Sequence, residues 1–513
     1  MKRPVTKKVG IAIAMAAMVM STAACGSKPA PAAAPAEPAP AEAEAAPVEE
    51  EVEEEAEEAE PEAEEEEAEE EAEEVEEEEE EEEEEESPYT VITDENGDPI
   101  DLGGMDIIIR NWWSPEEAPE PTNDYEEARE EYREWIQETY NFTIREAAIS
   151  DWGSTPADFV DYATTGGDEN YIWVLRDDPA ITSAMASGLM YDLSTLDCLD
   201  FSAEKFQRNK LHEQYSKGDE IYAMYAGFSE PRTGVYFNKR LLTDAGIDPE
   251  SIYDMQADGT WTWDAFEELM STVQRDIDND GVIDVYGLTL NEGVMTTEAV
   301  FSNGGSYVGK DENGYFYNLE SPETLEALEW TVDMFTKYDL PDPEGAEWDY
   351  YKEAFINGQA AFMVEDEYAG TPGNFLQDME DELGFVMFPK GPKMDHYINI
   401  WSNNPVAIPA CYDEDKAWKL AFAWNLYTDQ PAGYEDYIDL SAARSGLFDS
   451  RAVDETIVMM MQGENGTISY HGLIPNMDIG PDFVWGIGPG TVVSEAVEAI
   501  RDTWKAYIDE ANK

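Results

Sequence analysis

The chain has 513 residues, with 30 Lys and Arg against 117 Asp and Glu, a formal charge of −87. Such a surplus repels nucleic-acid phosphates and anionic lipid surfaces, so docking on either is excluded as a function. Only three cysteines and three scattered histidines occur, with no metal-ligand spacing among them.

The N-terminus reads as an export signal. Lys2, Arg3, Lys7 and Lys8 form a basic start, and Val9 to Met20 is a nearly unbroken apolar run. Ser21-Thr22-Ala23-Ala24-Cys25-Gly26 then supplies small residues before a cut. The run is too short for a stable membrane span. A cysteine in this place resembles the lipobox of bacterial lipoproteins, although Thr22 stands where an apolar residue is usual. The resemblance implies residues 1–24 as signal peptide, lipid on Cys25, and attachment at the extracellular face of the cell membrane through that lipid only.

A stalk follows over residues 25–88. Lys28 to Pro47 is rich in Ala and Pro, and Glu49 to Glu86 holds 30 Glu in 38 residues. With no aromatic residue it cannot bury a core, and its own charge extends it into a disordered spacer. At ~3.3 Å per residue, about 60 residues reach at most ~200 Å. Residues 1–86 carry 33 Glu and 5 Lys/Arg, which leaves −59 for the remainder.

Folded sequence is expected from residue 89 to residue 513. Met105 to Arg110 reads as a buried strand, Asp124 to Thr139 as a helix, and Phe142 to Ile144 as a second strand. A helix over Asp158 to Thr165 and a strand over Tyr171 to Leu175 come next. Alternating strand and helix predicts parallel β-α-β units, hence an α/β fold with ligands in loops beyond the strand carboxyl ends. Gly234 to Lys239 is a strand entering a helix that Gly246 stops. Asp264 to Asp276 is a helix with Thr262 as its cap. Leu325 to Lys337, Asp415 to Tyr427 and Ser494 to Asn512 are amphipathic helices.

Several of these segments, in this order, resemble extracellular solute-binding protein family 1, the binding subunits of ABC importers. They are Tyr236-Phe237-Asn238-Lys239 with Ala245-Gly246-Ile247-Asp248, Thr260-Trp261-Thr262-Trp263-Asp264, Phe355 to Met363, Phe388-Pro389-Lys390-Gly391-Pro392, and Ala407-Ile408-Pro409-Ala410. Asp177 with Ser187 to Leu193 adds a further match. The usual Pro of the second segment is missing. The resemblance implies a two-lobed periplasmic-binding-protein-like fold of type II, its lobes joined by a hinge. One lobe spans about 104–222 and 400–450, the other about 228–397 and 451–513. Crossings are expected near 222–227 and 398–403. The implied partners are a small-molecule substrate, most readily an oligosaccharide, and ABC permease subunits, with the protein a monomer and not an enzyme.

A sugar stacks its C–H face on aromatic rings and its hydroxyls on planar polar groups. Candidate ligand-binding residues are therefore Trp112, Trp113, Phe237, Tyr368, Trp401 and Trp485, with Arg176, Asp177, Asp178, Asp366 and Asn403 as polar partners. Glu365 and Glu367 read as solvated. Asp276, Asp278, Asp280, Val282 and Asp284 resemble the start of an EF-hand loop, but Gly287 stands where its last ligand belongs. That turn could hold one structural Ca²⁺, and no other cofactor is required. Cys198 and Cys411 could pair or stay free. Rival readings are an exported glycan-degrading enzyme, a surface adhesin, and a binding protein for a peptide or another non-sugar solute.

Overall fold

The computed structural model describes residues 87–116, 118–176, 178–402, 404–447 and 449–513. The export signal, Cys25 and the acidic stalk lie outside the described residues, as do Asp177 and Asn403. Among the described residues no helix is long and apolar enough to cross a membrane.

Two four-stranded sheets organise the structure. In chain order their strands are β1 (Met105–Asn111), β2 (Phe142–Ala148), β3 (Asn170–Val174), β4 (Thr233–Asn238), β5 (Tyr286–Leu290), β6 (Ala360–Asp366), β7 (Leu383–Met387) and β8 (Val406–Ala407). The first sheet runs β8-β3-β1-β2 and the second β7-β4-β6-β5. β1, β2 and β3 are parallel, as the strand–helix alternation predicts, and β8 closes that edge antiparallel to β3. In the second sheet β5 and β6 are parallel, while β4 runs against both β6 and β7. The α/β expectation therefore holds, with one reversed strand in each sheet.

Local sequence explains the helices. Asp124–Tyr140 starts where the Asn123 side chain accepts a hydrogen bond from Glu126 N at 3.0 Å. Acidic Asp124, Glu126 and Glu127 complement its first turn. It stops at Asn141, held at φ 53°. Tyr125, Tyr132, Ile136 and Tyr140 fall on one face; the last three bury in the core of the first sheet, and Tyr125 packs on Tyr434 and Tyr437. Trp263–Val273 starts at Thr262, whose hydroxyl oxygen accepts from Ala265 N, so the expected cap is found. It ends at Val273 and not at Asp276, because Gln274 leaves helical backbone.

The chain builds two cores. Ile107, Ile109, Ile144, Ile172, Leu420 and Trp424 belong to the first. Val235, Phe237, Phe266, Phe362, Phe385 and Trp504 belong to the second, which also takes Leu447. The chain crosses between them three times, the last time between Tyr427 of the first and Leu440 beside the second. The chain leaves the first sheet through 222–232, where Met224 and Val406 exchange backbone hydrogen bonds of 2.9 Å each. It returns through 388–405 alongside, where Arg232 donates to the Ser402 carbonyl. A further contact is 470–477, with Leu473 in a cluster of the first lobe and Ile474 and Met477 in the second core.

The segments that carried the family resemblance are structural fasteners. The Trp261 indole N–H donates to Met387 O at 2.8 Å, and that of Trp263 to Ser302 Oγ at 3.1 Å. Trp263 stacks on Trp330 with centroids 4.3 Å apart. Asn238 caps the helix beginning at Lys239, whose ammonium lies between Glu250 and Asp449 at 2.8 Å from each.

Candidate functional site

Topology sets where chemistry can gather. The outgoing crossing enters β4 at Thr233, and the returning crossing leaves β7 after Met387. Both therefore attach at the sheet edge where β5, β6 and β7 end. On the first lobe, β8 pairs antiparallel with β3, so the returning chain enters at the carboxyl end of β3. The carboxyl edges of the two sheets thus face the same crossings, and their loops form the two rims of a cleft.

The rim of the first lobe is built on Asn111, buried at the end of β1. Its amide donates to Ser114 Oγ at 2.7 Å and Glu146 Oε2 at 3.0 Å, and its oxygen accepts from Trp113 N and Ser114 N. Past that turn the two neighbouring indoles meet edge to face, with ring centroids 4.9 Å apart. Trp112 packs on the core, and Trp113 is 50% exposed. Beyond β2 stands Trp152, 58% exposed. The Arg176 guanidinium lies 4.1 Å over its ring, donates from Nε to its carbonyl at 3.0 Å, and pairs with Asp178 at 2.6 Å. Asp178 also caps the helix Pro179–Ala186.

The rim of the second lobe is acidic. β6 ends in Asp366, followed by Glu367 and an exposed Tyr368. Thr233 Oγ1 donates to Asp366 Oδ1 at 2.6 Å. Arg232 pairs with Glu230, and the Tyr225 hydroxyl donates to the same carboxylate at 3.1 Å. Trp485 is 70% exposed and lies across Gly480 and Gly293; a Cβ on either glycine would come within 2.8 and 3.1 Å of its ring.

Burial raises the carboxyl groups of this rim. Glu367 rises to about 8, chiefly through burial, with Arg232 opposing and Glu230 and Asp366 adding to the rise. Glu365 rises to about 7 through burial and the Asp366 charge, and it accepts a hydrogen bond from the Tyr351 hydroxyl. The expectation that both would be solvated is corrected. Glu365 is the last inward residue of a strand buried along its length, and Glu367 is tucked behind Arg232.

Other expected positions fall elsewhere. Phe237 is fully buried, edge-on to Tyr253 and directly over Gly384, so it belongs to the core and not to the cleft. Trp401 is buried in a short strand, Asn399–Trp401, with its ring against Gly466. Of the acidic turn, Asp276, Asp278 and Asp284 bring carboxylate oxygens within 4.8 Å of one another. Asp280 is not among them, and its Oδ1 accepts from Val282 N at 2.8 Å. The two described cysteines are both free thiols, Cys198 part-buried and Cys411 exposed.

Trp152 and Trp348 were missed by sequence reasoning. Trp348, largely exposed, precedes the helix Tyr350–Ile356, whose Tyr351 reaches Glu365. Two hollows, of about 400 Å³ beside Lys239 and Asp449 and about 470 Å³ beside Tyr89 and Trp135, include none of the rim residues.

Comparison with known proteins agrees with this architecture. Residues 206–425 match the family model for the bacterial extracellular solute-binding proteins. UgpB from Mycobacterium tuberculosis, solved with glycerophosphocholine, is 17% identical over 75% of this chain and 95% of its own, with a TM-score of 0.52. The sugar-binding protein MalE from Xanthomonas citri is 13% identical over 79% of this chain and 98% of its own, with a TM-score of 0.52. The cyclic α-maltosyl-1,6-maltose binding protein of Arthrobacter globiformis is 16% identical over 80% of this chain and all of its own, at 0.51. No curated protein sequence matches. At these identities the structural likeness speaks for the fold, that of two-lobed binding proteins.

Proposed function

We infer, from the match of residues 206–425 to the family model of the bacterial extracellular solute-binding proteins, that this chain captures an oligosaccharide between its lobes and delivers it to an ABC permease. The observation that carries the reading is the pairing of exposed indoles with carboxylates on both rims. On one, Trp113 and Trp152 are exposed, Trp152 beneath the Arg176 that pairs with Asp178; on the other, Trp485 and Tyr368 are exposed, Tyr368 two residues past Asp366. Indole faces suit sugar C–H faces, and carboxylates suit hydroxyl pairs. Two of the solved relatives carry sugars in their names, which supports the same class. Closure would bend the three crossings and the 470–477 contact, burying the ligand between the rims. The lipid on Cys25 would hold the protein at the outer face of the membrane, with the stalk as spacer. Asp276, Asp278 and Asp284 would hold a structural Ca²⁺ that plays no part in capture.

The test is thermal unfolding against a panel of oligosaccharides, with mass spectrometry of the recovered sugar. A ligand of the native state stabilises it by about 2.7 kcal/mol at a hundred times its dissociation constant. A raised midpoint with the sugar recovered intact is the expected result. A cleaved sugar would make the protein a glycan-degrading enzyme. Stabilisation by peptides or glycerophosphodiesters alone would overturn the sugar assignment.

A further inference from the structure

The sequence holds 14 tryptophans, and four are exposed: Trp113, Trp152, Trp348 and Trp485. Three of them already stand on the rims, Trp113 and Trp152 just past β1 and β2, and Trp485 across Gly293, just past β5. The fourth belongs to the same edge. Asp339 pairs in parallel with Leu288 of β5, and Leu340 N donates to Leu288 O at 3.0 Å. The chain past Leu340 therefore travels beside β5 toward that strand's carboxyl end. It comes back as the helix Tyr350–Ile356, which leads straight into β6 at Ala360. That helix runs against β6, so its first turn meets the strand's last residues, and the Tyr351 hydroxyl donates to Glu365 there. Trp348 stands just before this first turn and, at 73% exposed, is the most open of the four indoles.

This ring is held in place. The Lys352 ammonium lies over it, 5.3 Å from the centroid, and also 5.1 Å from the centroid of Phe375. Phe375 opens the short turn Phe375–Asp378 on the chain that leaves β6 through Tyr368. Lys352 thus ties the Trp348 loop to the Tyr368 loop. A cation behind one face of an indole fixes the ring and leaves the other face open. Large apolar side chains set in water call for an occupant, and a flat apolar face fits the C–H face of a pyranose ring. Continuity decides which occupant it is: Tyr368, Trp485 and Trp348 lie on one rim, so a chain held by the first two runs on to the third.

We propose that Trp348 is an outer subsite of the cleft, stacking on a ring of a linear oligosaccharide beyond those held by Tyr368 and Trp485, so that the protein prefers longer chains to disaccharides. The inference rests on the oligosaccharide reading above. A short ligand fills the inner faces alone; a longer one gains the Trp348 face as well. Lys352 is the positioning residue that keeps that face turned to the chain.

An array of linear glucans, xylans, mannans and galactans, from disaccharides to hexasaccharides, tests this on the full-length protein, followed by calorimetric titration of the class retained. The expected result is affinity rising about tenfold from disaccharide to hexasaccharide. Trp348→Ala should remove that gain and leave disaccharide affinity within about twofold, while Trp348→Tyr should keep most of the gain. At so exposed a site the Ala variant should keep its unfolding midpoint, which separates lost affinity from lost fold. Affinity independent of length, or a gain that Trp348→Ala leaves in place, overturns the proposal and leaves the oligosaccharide reading standing. Equal losses for short and long chains put Trp348 at the centre of the site and overturn its outer role. A variant that binds every chain normally yet fails in uptake makes the indole a permease contact, which also overturns the proposal. Retention of no chain overturns the oligosaccharide reading and this inference with it.

Discussion

Replacing Glu367 by Gln should change how stability depends on pH. Burial, with Glu230 and Asp366 adding, lifts this carboxyl from 4.5 to about 8 despite Arg232. Between those values the folded protein keeps a proton that the unfolded chain has lost, so stability falls as pH rises through the window and levels off above about 8. At about 1.4 kcal/mol per pH unit the gap sets a ceiling near 5 kcal/mol. The side chain is only half-buried, and solvent screening brings the expected figure to about 2 kcal/mol. The Gln variant carries no such proton. Urea unfolding of both proteins at pH 5 and pH 8 should therefore show the variant gaining about 2 kcal/mol on the parent between the two. Parallel behaviour of the two proteins would refute the buried-carboxyl account of this rim.

Three other outcomes are expected. Gly384→Ala would place a Cβ 2.1 Å from the Phe237 ring, and overpacking a fully buried site should cost about 2–3 kcal/mol by urea midpoint; a loss under about 0.5 kcal/mol would contradict the core position of Phe237. Trp485→Ala, at a site 70% exposed, should leave stability within about 0.5 kcal/mol yet weaken sugar binding about tenfold, and unchanged affinity would remove Trp485 from the cleft. Millimolar calcium should raise the unfolding midpoint, and Asp276→Asn should abolish the rise; a midpoint indifferent to calcium would show the turn to be held by its own hydrogen bonds.

Much of the fold was legible because apolar strands and capped helices alternate in the sequence with their own periods. The Met105, Phe142 and Tyr171 strands and the Thr262 cap are local features, and local chemistry fixes them. The rims were less legible. β2 was expected to end at Ile144, yet it continues to Ala148 through polar residues paired to β1. That shortfall hid Trp152, which stands just past the true strand end. Phe237 was expected at the cleft because it matches an aromatic of the family motif that can lie there, but β4 is buried along its whole length and packs this ring over Gly384. Trp348 gave no signal at all: it is one of 14 tryptophans, and only the tertiary fold carries it to the rim.

Small-angle X-ray scattering with and without a bound oligosaccharide tests the central claim most directly. Closure of the two lobes about the crossings predicts a smaller radius of gyration in the complex, reversed when the sugar is removed. A sugar that binds with no contraction, or a chain that binds no small solute at all, would contradict the account.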